Sequence, residues 1–268
     1  MITRIMTTFS PHTNPLREKI ESGEPAFGVF VSELYTPWLG AMLDAARYDF
    51  CILDMEHGAF SLPQISAMVA GFQGGLCTPI VRIPAVRREI ILPIMDLGTG
   101  GIMVPGVETA EEVRQCVDFM KYPPLGSRGL SLSRPHAGFA SPDRDGFLAE
   151  ANARSLLVVQ VESPKGVENL DEILKVPGVD VAFVGCADLS LSMGVSNDPK
   201  FGPLRETLEK VLKSASNIGV AGGANLTQKD LIATLVPMGL RLITCSTDTK
   251  GFIDGLSRTL QNILSSSQ

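Results

Sequence analysis

Residues 155–190, SLLVVQVESPKGVENLDEILKVPGVDVAFVGCADLS, decide the fold of this chain. The stretch holds a short apolar run, a turn with Pro and Gly, a helical segment and a second apolar run. Both runs are continuously apolar rather than alternating, which is typical of strands that are covered on both faces. Each run leads into a carboxylate, Glu162 after the first and Asp188 after the second. The pattern predicts a βαβ unit whose two acids project from adjacent, parallel strand ends.

The same unit recurs along the whole chain. Short apolar, β-branched runs predict strands at 26–31, 50–55, 79–83, 101–104, 156–161, 180–184, 219–224 and 241–245. Helical patterns lie at 14–23, 36–47, 63–72, 87–97, 109–119, 142–153, 166–175, 203–217, 227–236 and 251–264. Eight strands alternating with helices predict an α/β fold, a (β/α)8 TIM barrel, with residues 16–268 as one domain and residues 1–15 as a flexible tail.

Composition excludes several classes of function. The net charge is −6 and no segment is rich in Lys and Arg, so neither nucleic acid nor an anionic membrane is an expected partner. No apolar run approaches the length of a membrane helix, and the N-terminus lacks the apolar region of a signal peptide. The five cysteines include no C-x-x-C pair, which argues against a zinc or redox motif and for reduced thiols in a cytoplasmic protein.

Ionisable residues at the strand ends predict one shared site. In a barrel of this type the carboxyl ends of all strands meet at one mouth, so residues 56–57, Arg82, Glu162 and Asp188 are expected there together. Two carboxylates with open coordination positions suit Mg²⁺ or Mn²⁺ and an oxygen-rich substrate. The alternative is that Glu162 and Asp188 each cap the turn or helix that follows.

His57 and Arg82 are the candidates for proton transfer and charge stabilisation. A neutral imidazole suits a general base, and Asp96 is a candidate to orient it, although it is otherwise an ordinary helix-terminal acid. Arg82 could stabilise an enolate oxygen, or it could form a structural salt bridge with Glu56 or Asp54. The predicted strands contain no lysine, which disfavours imine chemistry.

Two segments depart from the regular alternation. Residues 121–143 are too long, and too rich in Pro, Gly and Ser, for a minimal connection, and they predict a lid or mouth loop. His136 in this loop could contact substrate or be solvated. The helix after the eighth strand is extra to the barrel, and we expect it to pack on a neighbouring subunit.

Several motifs together resemble one enzyme family. The chain contains, in this order, the strings FCILDMEHG, PIVRIP, IMDLGTGGIMVPGVETAEEV, KYPPLGSRG, VVQVESPKGVENLDEI and VGCADLSLSMG, and the resemblance covers about residues 26–250. They resemble the metal-dependent pyruvate aldolases of the HpcH/HpaI family, which includes 2,4-dihydroxyhept-2-enedioate aldolase and 2-dehydro-3-deoxyglucarate aldolase. No single string is specific, but the ordered set is.

The resemblance implies a role for each matching residue. It implies that Glu162 and Asp188 bind a divalent metal ion (Mg, Mn or Co), and that Gln160 and the backbone at Ala187 contact a 2-oxo acid. It further implies His57 as base, Asp96 as the group that raises its basicity, and Arg82 as enolate stabiliser. The activity implied is cleavage of a 4-hydroxy-2-oxo acid to pyruvate, or a close 2-oxo acid, and an aldehyde. The assembly implied is a homotrimer or homohexamer that exchanges its terminal helix.

Three departures from the family pattern leave the substrate open. Residues 56–60 read EHGAF where EHAPN is usual, residues 185–188 read GCAD for GPAD, and residues 245–249 read CSTDT for VGVDT. These positions surround the expected place of the acceptor aldehyde. A decarboxylase or carbon–carbon lyase of the citryl- or malyl-thioester type, or a barrel that only binds, therefore remains as an alternative.

Overall fold

Eight parallel strands form a closed barrel in the computed structural model, which describes residues 14–139 and 143–265. Each strand pairs with its neighbours in chain order, and β1 closes the ring against β8. The strands are β1 (Ala26–Val31), β2 (Phe50–Asp54), β3 (Thr78–Arg82), β4 (Gly101–Val104), β5 (Leu156–Val161), β6 (Val181–Val184), β7 (Ala221–Asn225) and β8 (Leu240–Thr247). All eight predicted strands and the TIM-barrel architecture are confirmed.

Helices connect the strands and surround the barrel. They are α1 (Pro15–Glu21), α2 (Leu39–Ala45), α3 (Leu62–Ala70), α4 (Arg88–Asp96), α5 (Ala110–Met120), α6 (Arg144–Arg154), α7 (Pro164–Glu168), α8 (Leu170–Leu174), α9 (Cys186–Met193), α10 (Gly202–Asn217), α11 (Lys229–Leu235) and α12 (Asp248–Ser265). A capping box begins α5, where the side chain of Thr109 accepts a hydrogen bond from the backbone N–H of Glu112. None of the described helices is long and apolar enough to cross a membrane.

Two details of the helices differ from the sequence prediction. The helix expected at 166–175 is divided at Asn169 into α7 and α8. A short helix that the sequence did not predict, α9, follows β6 directly and contains Asp188 in its first turn. Its apolar residues merge with the strand pattern before them, so hydrophobic periodicity alone does not separate the two elements.

The inside of the barrel is packed, and its amino-terminal end is closed. Apolar side chains from the strands fill the interior, with Phe50, Ile52 and Phe183 at 0 to 1% exposure. Leu16 of α1 packs into this interior core from below. Asn14 secures α1 by donating to the backbone oxygens of Gly100 and Arg154 at 2.9 and 2.7 Å. Asn14 and Pro15 are therefore part of the fold, whereas the rest of the predicted tail lies outside the described residues.

The described part of the long loop, residues 121–139, is packed against the barrel. Its His136 is neither solvated nor at the mouth, since the side chain is 1% exposed and its Nε2 lies 3.0 Å from the Tyr122 hydroxyl. Burial, together with the positive charge of Arg128, lowers the pKa of His136 to about 4. The imidazole is thus neutral near pH 7 and serves the packing of this loop. Part of the predicted lid, residues 140–142, lies outside the described residues.

The terminal helix α12 leaves most of its apolar side chains exposed. Asp248 is its only buried residue among those described. Six apolar side chains at helical spacing are 55 to 62% exposed: Phe252, Ile253, Leu256, Leu260, Ile263 and Leu264. Single exposed hydrophobic residues are common on protein surfaces, but a continuous stripe of this kind marks an interaction surface.

Candidate active site

A cavity of about 460 Å³ opens at the carboxyl ends of the strands. Aromatic side chains of Phe30 and Phe183 form part of its lining, and polar or charged groups surround them. The lining residues from the predicted site are His57, Arg82, Gln160, Ala187 and Asp188. The shared mouth predicted from the strand ends is therefore a real cavity, and it gathers residues that lie more than a hundred positions apart in the sequence.

Arg82 and Asp54 form a buried, bidentate ion pair at the floor of this cavity. They are the last residues of β3 and β2 and are direct partners in the strand register. Arg82 Nε donates to Asp54 Oδ1 at 2.9 Å, and Nη2 donates to Oδ2 at 2.6 Å. The two residues are only 7 and 2% exposed. The structural salt bridge considered for Arg82 is thus present, and it leaves Nη1 on the side that faces Gln160 and Glu56.

Asp54 also fixes the backbone turn that carries His57, the predicted base. Its Oδ1 accepts hydrogen bonds from the backbone N–H groups of Glu56 at 3.0 Å and His57 at 3.3 Å. The His57 side chain is 67% exposed and lines the cavity, with its Nε2 3.9 Å from Glu56 Oε2. One carboxylate therefore fixes both Arg82 and the backbone of the Glu56–His57 turn.

Glu162 is placed by contacts on each of its carboxylate oxygens. The backbone N–H of Gly106 donates to Oε1 at 2.7 Å, and the side-chain amide of Gln160 donates to Oε2. Gly185, at the end of β6, makes room for this arrangement, because a Cβ there would lie 2.8 Å from the Cβ of Glu162 and 3.0 Å from Gln160 Nε2. Gly185 thus leaves space for the Glu162 side chain, and Asp188, three residues later, lies in the first turn of α9.

Three carboxylates in the mouth repel one another. Burial raises the pKa of Glu162, and the charges of Asp188 and Glu56 raise it further. Burial likewise raises the pKa of Glu56, although the positive charge of Arg82 opposes the shift. Glu56 Oε2 is buried and has no hydrogen-bond partner among the described residues, despite lying 3.1 Å from Arg82 Nη1. The mouth therefore carries surplus negative charge that a cation would neutralise.

This set of oxygen ligands fits a hard divalent cation. Among the residues that the structure describes, no three His, Cys, Asp or Glu side chains converge into a closed metal cluster. Mg²⁺ characteristically uses only one or two carboxylates and completes its shell with water and substrate oxygens. Glu162 and Asp188 are such a pair, since one is fixed by its neighbours and the other is exposed in the first turn of α9.

Two predicted site residues, Glu162 and Asp96, do not line the cavity; Glu162 is hydrogen-bonded to the lining residue Gln160, whereas Asp96 has its contacts elsewhere. Asp96 Oδ1 accepts a hydrogen bond from Arg128 Nη2 at 2.7 Å and lies 3.9 Å from His136 Nδ1. Within a single chain it therefore belongs to the packed 121–139 loop and is not the partner of His57. The sequence placed it correctly at the end of α4, but helix position does not reveal which neighbour the side chain meets.

Two acids that hold backbone at the mouth were not assigned as site residues from the sequence. Asp54 was considered only as an alternative partner of Arg82, yet it organises the base as well. Asp248, at the start of α12, accepts hydrogen bonds through Oδ2 from three successive backbone N–H groups, those of Ser32, Glu33 and Leu34, at 3.2, 2.9 and 2.7 Å. Asp54 is the last residue of β2 and Asp248 directly follows β8, so the strand-end rule that found Glu162 applies to them too.

Comparison with known proteins agrees with this fold and identifies the family. The family model for HpcH/HpaI aldolase/citrate lyase matches residues 27–255. A hydroxypyruvate/pyruvate aldolase of Roseobacter denitrificans is 34% identical over 238 residues, covering 88% of this chain and 91% of the relative. A 2-keto-3-deoxy-L-rhamnonate aldolase of Escherichia coli is 29% identical over 249 residues, which cover 92% of each chain.

Solved structures show the same relationship. The crystal structure of an HpcH/HpaI aldolase from Desulfitobacterium hafniense superimposes with a TM-score of 0.87 at 30% identity, covering 92% of this chain and 96% of the other. The named relatives are aldolases, which are carbon–carbon lyases. The chain belongs to the HpcH/HpaI aldolase/citrate lyase family and is an enzyme of the carbon–carbon lyase class.

Proposed function

We propose that this protein is a divalent-metal-dependent aldolase that cleaves a 4-hydroxy-2-oxo acid to pyruvate, or a close 2-oxo acid, and an aldehyde. The observation that carries the proposal is the convergence of the Asp188 carboxylate, a buried guanidinium and an exposed imidazole in one cavity, with the Glu162 carboxylate held beside it through a hydrogen bond from Gln160. Glu162 and Asp188 would hold the cation, which supplies Lewis-acid stabilisation of negative charge on the bound 2-oxo acid. The names of the similar aldolases support the same reaction class.

The protein's own residues bind the substrate and move one proton. Gln160 and the backbone at Ala187 line the cavity beside Asp188, where they would orient the 2-oxo acid. His57 takes the proton from the C4 hydroxyl as the C3–C4 bond breaks, and the aldehyde leaves. The electron pair of that bond forms the enolate of the 2-oxo acid, and protonation of C3 completes the product. Arg82, held rigid by Asp54, faces the developing negative charge through Nη1.

Two alternatives make different demands on the cavity. A thioester lyase of the citryl or malyl type needs basic groups for coenzyme A, but Arg82 is the only Arg or Lys side chain lining the described cavity. A barrel that only binds ligand would neither require a metal ion nor exchange the protons of pyruvate. The cavity lining therefore favours the aldolase over the thioester lyase, and metal binding and proton exchange distinguish it from a barrel that only binds ligand.

The test is an incubation of metal-stripped protein with Mg²⁺, Mn²⁺ or Co²⁺, pyruvate in D₂O and a set of aldehydes. We expect deuterium exchange at pyruvate C3 by NMR and new aldol adducts, both dependent on the metal ion. His57→Ala should lower adduct formation strongly and leave metal binding unchanged, because the imidazole is a base and not a ligand. Undiminished turnover by metal-free protein would contradict the proposal.

We also propose that α12 packs against a second copy of the chain in a homotrimer or homohexamer. The exposed apolar stripe of α12 supports this arrangement, since such a stripe is stabilised by removal from water.

The double substitution Leu256→Asp and Leu260→Asp should therefore lower the oligomeric state measured by sedimentation velocity. Matched substitutions on the opposite side of the helix, Gln261→Asp and Ser265→Asp, should not. Equal assembly of all variants would contradict this role of α12.

A further inference from the structure

The outer part of the active-site cavity differs in chemistry from its floor. Its outer lining, from residues at or after the ends of β1, β7, β8 and α9, is neutral and hydrogen-bonding: Ser32, Asn225, Thr247 and Asn197, with the carboxylate of Glu33 as the charged exception. If the 2-oxo acid occupies the end near Glu162 and Asp188, the remaining part of the cavity receives the aldehyde. The chemistry of this outer lining then decides which aldehyde is accepted.

The described cavity offers no free cation to a second carboxylate. Arg82 is its only Arg or Lys side chain, and both Nε and Nη2 are occupied by Asp54. The remaining nitrogen, Nη1, lies 3.1 Å from Glu56. An acceptor aldehyde that carries its own carboxylate would therefore meet Glu33 without a compensating positive charge, and like charges placed together strongly disfavour binding.

The backbone that carries Glu33 is held in place rather than left as a free loop. The N–H group of Glu33 donates to Asp248 Oδ2 at 2.9 Å, between the similar bonds from Ser32 and Leu34. Asp248 is 8% exposed, and its other oxygen accepts from the backbone N–H of Thr249 at 2.8 Å. Charge-assisted bonds of this kind are among the stronger hydrogen bonds. The Glu33 backbone consequently cannot move away from the entrance at low cost.

We propose that the outer cavity selects an uncharged, hydroxylated acceptor aldehyde and that Glu33 is the residue that disfavours carboxylated ones. The amide and hydroxyl groups of Asn197, Asn225 and Thr247 match the hydroxyls of a short hydroxyaldehyde, because each can donate or accept a hydrogen bond. This inference rests on the aldolase function proposed above, and it adds the chemical class of the acceptor.

The test compares neutral and acidic aldehydes in the wild-type protein and in Glu33 variants. Glycolaldehyde and glyceraldehyde represent the neutral class, and glyoxylate and succinic semialdehyde the acidic class. We expect wild-type kcat/KM to favour the neutral class by about tenfold or more. Glu33→Gln should reduce that preference several-fold, and Glu33→Arg should reverse it. Glu24→Gln, an exposed acid next to the amino-terminal end of β1, is the matched control and should leave the preference unchanged.

Deuterium exchange at pyruvate C3 separates this inference from the function on which it rests. The exchange involves no acceptor, so it should persist in both Glu33 variants whatever their preference among aldehydes. Normal exchange with the same acceptor preference in all proteins would overturn the role of Glu33. A wild-type preference for acidic aldehydes would overturn the proposed acceptor class. Absence of exchange in wild-type protein with metal ion would overturn the aldolase function itself, and the acceptor class with it.

Discussion

Glu162→Gln is expected to lower kcat/KM for aldol cleavage by about three orders of magnitude, which corresponds to about 4 kcal/mol of transition-state stabilisation. The amide keeps the size of the side chain and an oxygen that can accept the hydrogen bond from Gly106. It removes the negative charge, so the cation loses one of its two expected carboxylate ligands. The measurements are steady-state cleavage kinetics at saturating metal ion, and metal affinity by calorimetry.

A neighbouring acid provides the control for this substitution. Glu168 lies at the end of α7 and is exposed, whereas Glu162 is hydrogen-bonded to Gln160 of the cavity lining, so Glu168→Gln should retain both activity and metal affinity. Treatment with a chelator should reproduce the loss in wild-type protein, and addition of metal ion should reverse it. If Glu162→Gln cleaved substrate at the wild-type rate, the assignment of Glu162 as a metal ligand would be wrong.

Asp54→Ala is expected to cost stability as well as activity. Removing one partner of a buried ion pair leaves an uncompensated charge, which typically costs about 3 to 5 kcal/mol. Here the change would leave Arg82 without its bidentate partner and the backbone N–H groups of residues 56–57 without their acceptor. The free energy of unfolding from denaturant titration and the cleavage rate should therefore fall together.

A double variant separates the two effects. Asp54→Leu combined with Arg82→Met replaces the pair by apolar side chains, and such replacements are often neutral for stability. We expect the double variant to recover much of the lost unfolding free energy and still to be inactive, because no guanidinium faces the substrate. Activity in a stable double variant would show that Arg82 is a structural residue alone.

Much of the fold followed from local patterns. Mainly apolar runs predicted every strand to within about two residues, because strands covered on both faces carry few polar residues. The alternation of such runs with helices predicted the barrel. The same rule brought Glu162, Arg82 and His57 to one mouth, since strand polarity in a parallel barrel assigns every carboxyl end to the same side.

Side-chain partners needed the tertiary structure. From the sequence, either Asp54 or Glu56 was a possible salt-bridge partner of Arg82. Only the register of β2 against β3 places Asp54 directly beside Arg82. Asp96 was expected near His57, but α4 directs it to Arg128 in the packed loop. The bonds between Asp248 and the loop after β1 join positions more than two hundred residues apart.

The sequence by itself determined the architecture of this protein and the chemical types of group at its mouth. Buried strands are marked by local apolar composition, and parallel strands in a barrel place all their carboxyl ends on one side. The tertiary structure decided which of those groups touch. Hydrogen bonds and ion pairs depend on distances of about 3 Å, and such distances depend on strand register, loop path and the packing of residues remote in sequence.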